Sequence, residues 1–252
     1  MPFGSPHRHL AQCASTNDLA RAWALDDADP APHGALVSAD FQTRGRGRRG
    51  RQWQAGPGES VLMSVVVRPA FAQNDAWQLA FIAALAVSDA LGEYVPAVTL
   101  KWPNDVLVQG NKAAGVLVET VRSQPRGWAA IVGIGVNVSQ TKFDAETAYP
   151  VPPISLRMAV GQTPPIGVLT QAIAQALERR LAQHAAQGWP SIRADWRARM
   201  APDILLQRGQ EQGIFVDLEP DGRARVRLPG GTFACWATVD AEENTNTAPD
   251  RV

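Results

Sequence analysis

The sequence predicts an α+β protein in which a mixed β-sheet is covered by helices, followed by a smaller all-β module. Three observations carry that expectation. The runs Val61–Val67 and Ala113–Thr120 are apolar and rich in β-branched residues, as buried strands are. Between them, Asp75–Leu91 places Trp77, Leu79, Phe81, Ile82, Leu85, Val87 and Leu91 around nearly the whole helical circumference, so this helix packs on most of its sides. From about Asp203 the pattern changes to short strands separated by Asp221-Gly222 and Pro229-Gly230-Gly231 turns.

A chain of 252 residues, 45% of them hydrophobic, can bury a full core. We expect a main domain over residues 1–200, a small one over 203–240, and a polar, disordered tail over 241–252. Lys+Arg and Asp+Glu both number 24, so the formal net charge is zero and no broad basic surface for nucleic acid is implied. Cys13 and Cys235 match no metal spacing and no disulfide framework. With no apolar run of roughly 18 residues and no signal-peptide core, a cytoplasmic protein without a membrane span is expected.

Along the chain, Ser15-Thr16-Asn17-Asp18 precedes a helix running to about Leu25. Ser15 with Asp18 fits the Ser/Thr-x-x-Asp/Glu capping pattern; a ligand held at the same helix start is the alternative, and the residues leave both open. Ala35–Ala39 reads as a strand delivering Gln42 and then the loop Arg44–Trp53. Five arginines (Arg44, Arg46, Arg48, Arg49, Arg51) crowd this loop, alternating with glycines that let the backbone approach a ligand. Such a segment is built to close on an anion and is expected to be mobile until one neutralises it. From this stretch alone, an anion clamp and an arginine-rich nucleic-acid arm fit equally. The formal G-x-G-x-x-G at Gly45, Gly47 and Gly50 is not a dinucleotide fingerprint, because Gln52–Gly58 follows where a helix would have to start.

Two hairpins come next: Val98–Leu100, a turn at Trp102-Pro103-Asn104-Asp105, Val106–Val108, a turn at Gly110-Asn111, and the strand after Lys112. They bring Lys101, Asn104, Asp105 and Lys112 to one sheet edge. Charged groups within so apolar a span are costly unless paired or used. Ala129–Val138 is a strand with Gly133 and Gly135 inside it, which suggests that another backbone or a ligand passes close by, and it ends near Asn137. Ile166, Leu169, Ile173, Leu177 and Leu181 mark a helix ending near Gly188, and Trp189, Ile192, Trp196 and Met200 a second one with Pro190 in its first turn.

Five motifs, in this order and spacing, resemble the biotin protein ligases: Ser15-Thr16-Asn17; Gln42 with the Gly45–Trp53 loop; Lys101-Trp102-Pro103-Asn104-Asp105; Lys112 ahead of Ala114-Gly115; and Gly133–Val138. The resemblance covers about residues 10 to 200, and implies the class II synthetase-like, biotin–lipoate ligase fold with a small SH3-like barrel at its C-terminal end. It implies an enzyme that joins biotin to ATP as biotinyl-5′-adenylate and passes the biotinyl group to a lysine of a biotin carboxyl carrier protein. By the same resemblance Lys112, Arg48 and Arg46 are catalytic; Ser15, Thr16, Asn17, Gln42, Arg46, Gly47, Arg48 and Lys112 hold biotin; Arg48, Trp53, Lys101, Asn104, Asp105 and Asn137 serve the nucleotide; and Asp105 is placed at Mg²⁺. Since the biotin motif begins at Ser15, the resemblance leaves no room for the DNA-binding domain of repressor-type members, and no specific DNA binding is expected. Pairing into a homodimer through a sheet edge is a habit of the family that no residue here decides. A lipoate-type ligase would share the fold without this arginine loop, and a non-catalytic biotin sensor is the other alternative. The Gly-Glu usual near the last barrel strand is missing, with Trp236-Ala237 nearby instead.

Overall fold

The computed structural model describes residues 2–123, 127–144, 147, 149 and 151–237; the expected tail at 241–252 lies outside them. The main sheet has seven strands, β1 (His7–Cys13), β2 (Leu36–Gln42), β3 (Ser60–Val67), β4 (Val98–Lys101), β5 (Asp105–Val108), β6 (Asn111–Ser123) and β7 (Gly127–Asn137). Their spatial order is β1-β2-β3-β7-β6-β5-β4. All neighbours are antiparallel except β1 and β2, which makes the sheet mixed as expected. Strand β1 was not legible: its sequence HRHLAQC has no apolar run, because it is an exposed edge strand with little to bury.

Alternation along the central strands builds two cores. Val61, Met63, Val65 and Val67 of β3, with Ala130, Val132, Ile134 and Val136 of β7, face helices α2 (Gln78–Gly92) and α4 (Ile166–Arg197). Val66, Val121 and Ile131 point the other way and pack on Ala20, Trp23 and Ala24 of α1 (Thr16–Leu25). Helix α1 covers only part of its face. Beyond its N-terminal end, residues of the same parity include Ser64, Gly133, Gly135, Gly115 and Glu119, small or polar, beside Leu62 and Leu117, and there the cleft opens.

Helix α2 begins at Gln78 rather than Asp75, since Gln73–Asp75 forms a separate 3-10 turn. Helix α4 is broken at Gly188, whose φ of 72° no ordinary helical residue adopts, and Pro190 restarts it, as the sequence predicts. The expected capping box at Ser15 is absent. Ser15 occupies the N-cap position without a side-chain bond to the helix, and Asp18 is turned to Arg46 instead. A short helix, α3 (Leu156–Val160), is capped by Ser155.

The C-terminal strands β8 (Leu205–Arg208), β9 (Glu211–Leu218), β10 (Ala224–Arg227) and β11 (Phe233–Trp236) form an antiparallel meander in the order β11-β10-β9-β8. Among the described residues this sheet is open, in place of the closed SH3-like barrel expected: β11 and β8 are both edges and do not pair. Leu206, Phe215, Leu218, Val226 and Trp236 of this sheet share one continuous core with α2 and α4.

Candidate active site

Turn geometry gathers the charged groups of the β4–β5 and β5–β6 hairpins. The hairpin β4–β5 pairs Lys101 with Asp105 across the strands, and β5 pairs Asp105 with Gly115 of β6. Asp105 is thereby held between two ammonium groups, with Lys112 Nζ 2.6 Å from Oδ1 and Lys101 Nζ 3.6 Å from Oδ2. Burial pushes the Lys101 ammonium below the usual lysine range, Asp105 draws it back up, and Lys112 pushes it further down. Asn104 donates from Nδ2 to the Val116 carbonyl (2.5 Å) and accepts at Oδ1 from Arg48 Nη1 (3.2 Å).

The arginine loop meets these hairpins through the Arg48–Asn104 bond. It is pinched by a bridge between Arg46 and Gln52, by Gly47 N–H donating to the Arg51 carbonyl, and by Trp53 N–H donating to the Gly45 carbonyl. Arg49 takes a left-handed conformation (φ 56°) and Gly50 follows at φ 69°. The loop and Leu117, Val118 and Glu119 of β6 enclose a cleft of about 470 Å³. Two glycine positions show what the strand glycines are for. A Cβ on Gly135 would stand 2.5 Å from the Trp53 indole, and one on Gly133 would collide with Asn17 Oδ1. The expected close passage over β7 is therefore made by two side chains of the chain itself.

At the floor, four elements meet. The Thr16 N–H and hydroxyl both donate to Gln42 Oε1, at 2.7 and 3.0 Å. Ser64 Oγ lies 2.8 Å from Thr16 Oγ1 and 2.6 Å from Asn17 Oδ1. Ser64 has one hydroxyl hydrogen for two acceptors, so this buried cluster retains lone pairs for an incoming N–H donor. Asn17 Nδ2 donates to Glu119 Oε2 at 2.6 Å, and Arg46 reaches Asp18 and the same Glu119. Ser64 and Glu119 are not among the residues singled out in the sequence, and Asp18 is read there only as a helix-capping residue. Glu119 had a legible signal, a single carboxylate inside an apolar strand.

Two residues sit elsewhere than the cleft wall. Asn137 is buried and spends both amide hydrogens on the Lys112 and Ile154 carbonyls, tying β6 to the segment before α3. Ser15 is buried at the N-cap. The Mg²⁺ that the resemblance implies does not fit a site made of protein carboxylates: both oxygens of Asp105 face lysines, and no group of three or more metal-ligating side chains exists among the described residues.

The sequence profile of the Biotin/lipoate A/B protein ligase family matches residues 10–137, the span that carries every side chain just described. The chain belongs to this family. Among its family relatives, the biotin--[acetyl-CoA-carboxylase] ligase of Paracoccus denitrificans is 39% identical over 232 residues, 88% of this chain and 94% of that protein. The ligase of the same description from Mycobacterium tuberculosis is 36% identical over 251 residues, 93% of this chain and 89% of its own. In structure, the family member from Aquifex aeolicus, a biotin protein ligase in complex with biotin and ATP, superposes with a TM-score of 0.76 at 27% identity, covering 92% of this chain and 95% of that one.

Proposed function

We propose that this chain is an ATP-dependent ligase that activates biotin as biotinyl-5′-adenylate and transfers it to a lysine of the biotin carrier protein of acetyl-CoA carboxylase. One observation carries the reading: a largely buried cluster of hydrogen-bonding side chains at Thr16, Asn17, Gln42 and Ser64 is joined through Glu119 to a cleft lined by the arginine loop, with Arg48 bonded to Asn104 and Lys112 5.9 Å from the Trp53 ring, and relatives spanning most of the chain carry that ligase description.

The chemistry asks for such a cleft. A carboxylate oxygen of biotin attacks the α-phosphorus of ATP, an O–P bond forms, the bond to the β-phosphate breaks, and pyrophosphate leaves. Two anions must meet, so preorganised cations lower the barrier. We assign Lys112 to the carboxylate and α-phosphate, and Arg48 to the phosphate oxygens. In the second step the acceptor's lysine amine attacks the acyl carbon and AMP departs. An acyl-adenylate is lost to water unless covered, which we assign to the arginine loop with Trp53. Ser15, Thr16, Asn17 and Gln42 are assigned to the biotin head group, and Lys101, Asn104 and Asp105 to the nucleotide side. Mg²⁺ enters this reading with the nucleotide's phosphates rather than as a ligand of Asp105. We assign residues 1–200 to the chemistry and 203–240 to a supporting module.

Pyrophosphate release from purified protein tests this. It is expected only when biotin and ATP are both present, and lipoate is expected to give none. Release without biotin, or no release at all, would sink the proposal.

A further inference from the structure

We propose that Asp18 and Glu119 form a two-carboxylate anchor for Arg46, which sets the course of the arginine loop and the orientation of the Asn17 amide. They are positioning residues, and Arg46 serves as the loop's fixed point instead of meeting the reacting anion. The inference deepens the reading of the cleft as an adenylate-forming site and rests on it for its functional consequence.

The geometry joins three elements through one guanidinium. Arg46 Nη1 and Nη2 lie 2.8 and 2.7 Å from the two oxygens of Asp18 on α1, a bidentate pair, and Nη2 also lies 3.3 Å from Glu119 Oε2 on β6. The bond from Arg46 holds the Asp18 carboxyl below its usual range, with Arg44 and Arg21 contributing more weakly. Glu119 is shared: the oxygen that faces Arg46 also accepts from Asn17 Nδ2 at 2.6 Å. That bond decides the Asn17 amide flip, sending Oδ1 to Ser64 and leaving it over Gly133, where no side chain fits.

Charge arithmetic then separates the arginines. One guanidinium against two carboxylates leaves the anchor with a formal charge of −1, so an incoming carboxylate or phosphate gains nothing there. Arg48, two residues on, lies outside this anchor and bonds Asn104. The loop thus has a neutralised foot at Arg46. Neither carboxylate can be replaced by its amide without loss. Either amide removes a charge that faces Arg46 and turns an NH2 donor toward the guanidinium, at the Glu119 oxygen 3.4 Å from Nη2 or at one of the two Asp18 oxygens that accept from it.

The test is trypsin cleavage within 44–51, mapped by mass spectrometry on full-length protein without biotin or nucleotide, so that it is independent of whether the chain is a ligase. Asp18→Asn is expected to speed cleavage about three- to fivefold with an unchanged melting temperature, as loss of one partly exposed ion pair allows. Arg46→Gln should speed cleavage at the remaining arginines equally, and the double variant should add nothing further. If Asp18→Asn lowers the melting temperature, Glu119→Gln takes its place in the same cycle. With biotin and ATP added, the single variants should release more free adenylate into solution while ATP KM stays within twofold. Unchanged cleavage in the variants, or additive effects in the cycle, would overturn the anchor.

Discussion

Lys112 and Asp105, 2.6 Å apart, show what residue-level reading can and cannot reach. Both were legible, because ionised groups in an apolar hairpin pair need a reason to be there. Their pairing was not, since it depends on the register of β5 against β6. The same holds more strongly for Asp18, which a local capping pattern assigned to its own helix and which the fold gives to Arg46, 28 positions away. On the proposed mechanism, Lys112→Ala removes a cation from a site where two anions must meet. Adenylate formation should fall by about 10²–10³, as for loss of a single transition-state donor, while biotin binding measured by calorimetry stays detectable. Wild-type adenylation rates in that variant would take Lys112 out of the mechanism.

Among the elements, the apolar strands and the buried helix α2 were plain in the sequence because burial on both sides writes itself as continuous hydrophobicity. Edge strand β1 was not, for the opposite reason. What clamps α2 to α4 is also invisible to periodicity: Asp89 accepts from Arg180 Nε and Nη2 (2.6 and 2.8 Å) and from Arg199 Nη1 (2.7 Å). Burial pushes the Asp89 carboxyl up, but the bonds from the two arginines outweigh it and hold it below the usual range. A carboxyl lowered on folding adds stability that is present above its unfolded value, about pH 4, and is lost as pH falls through the folded one. Asp89→Asn should therefore lower the melting temperature by roughly 5–10 °C at neutral pH and flatten its decline below about pH 4. Thermal melts across that range check this; a variant with the wild-type pH profile would contradict it.

At the scale of the whole molecule, the second sheet is wired to the chemistry through one turn. Trp102, next to Lys101, donates from Nε1 to the Gly222 carbonyl (3.0 Å), and Trp189 Nε1 to the Pro220 carbonyl (2.6 Å). A Cβ on Gly222 would strike the Trp77 ring, so the β9–β10 turn seats itself among three tryptophans from the main domain. The Asp221-Gly222 turn was readable; its seat was not, because three aromatic residues far apart in sequence converge only in the fold. No described helix is long and apolar enough to cross a membrane.

On the proposed mechanism, the cleft makes an activated biotin and hands it to a protein lysine. Its most direct measurement is the intact mass of a purified biotin carrier domain after incubation with the enzyme, biotin and ATP. A gain of one biotinyl group on a single lysine is expected, abolished when that lysine is replaced by arginine. A carrier of unchanged mass, while pyrophosphate is released, would contradict it.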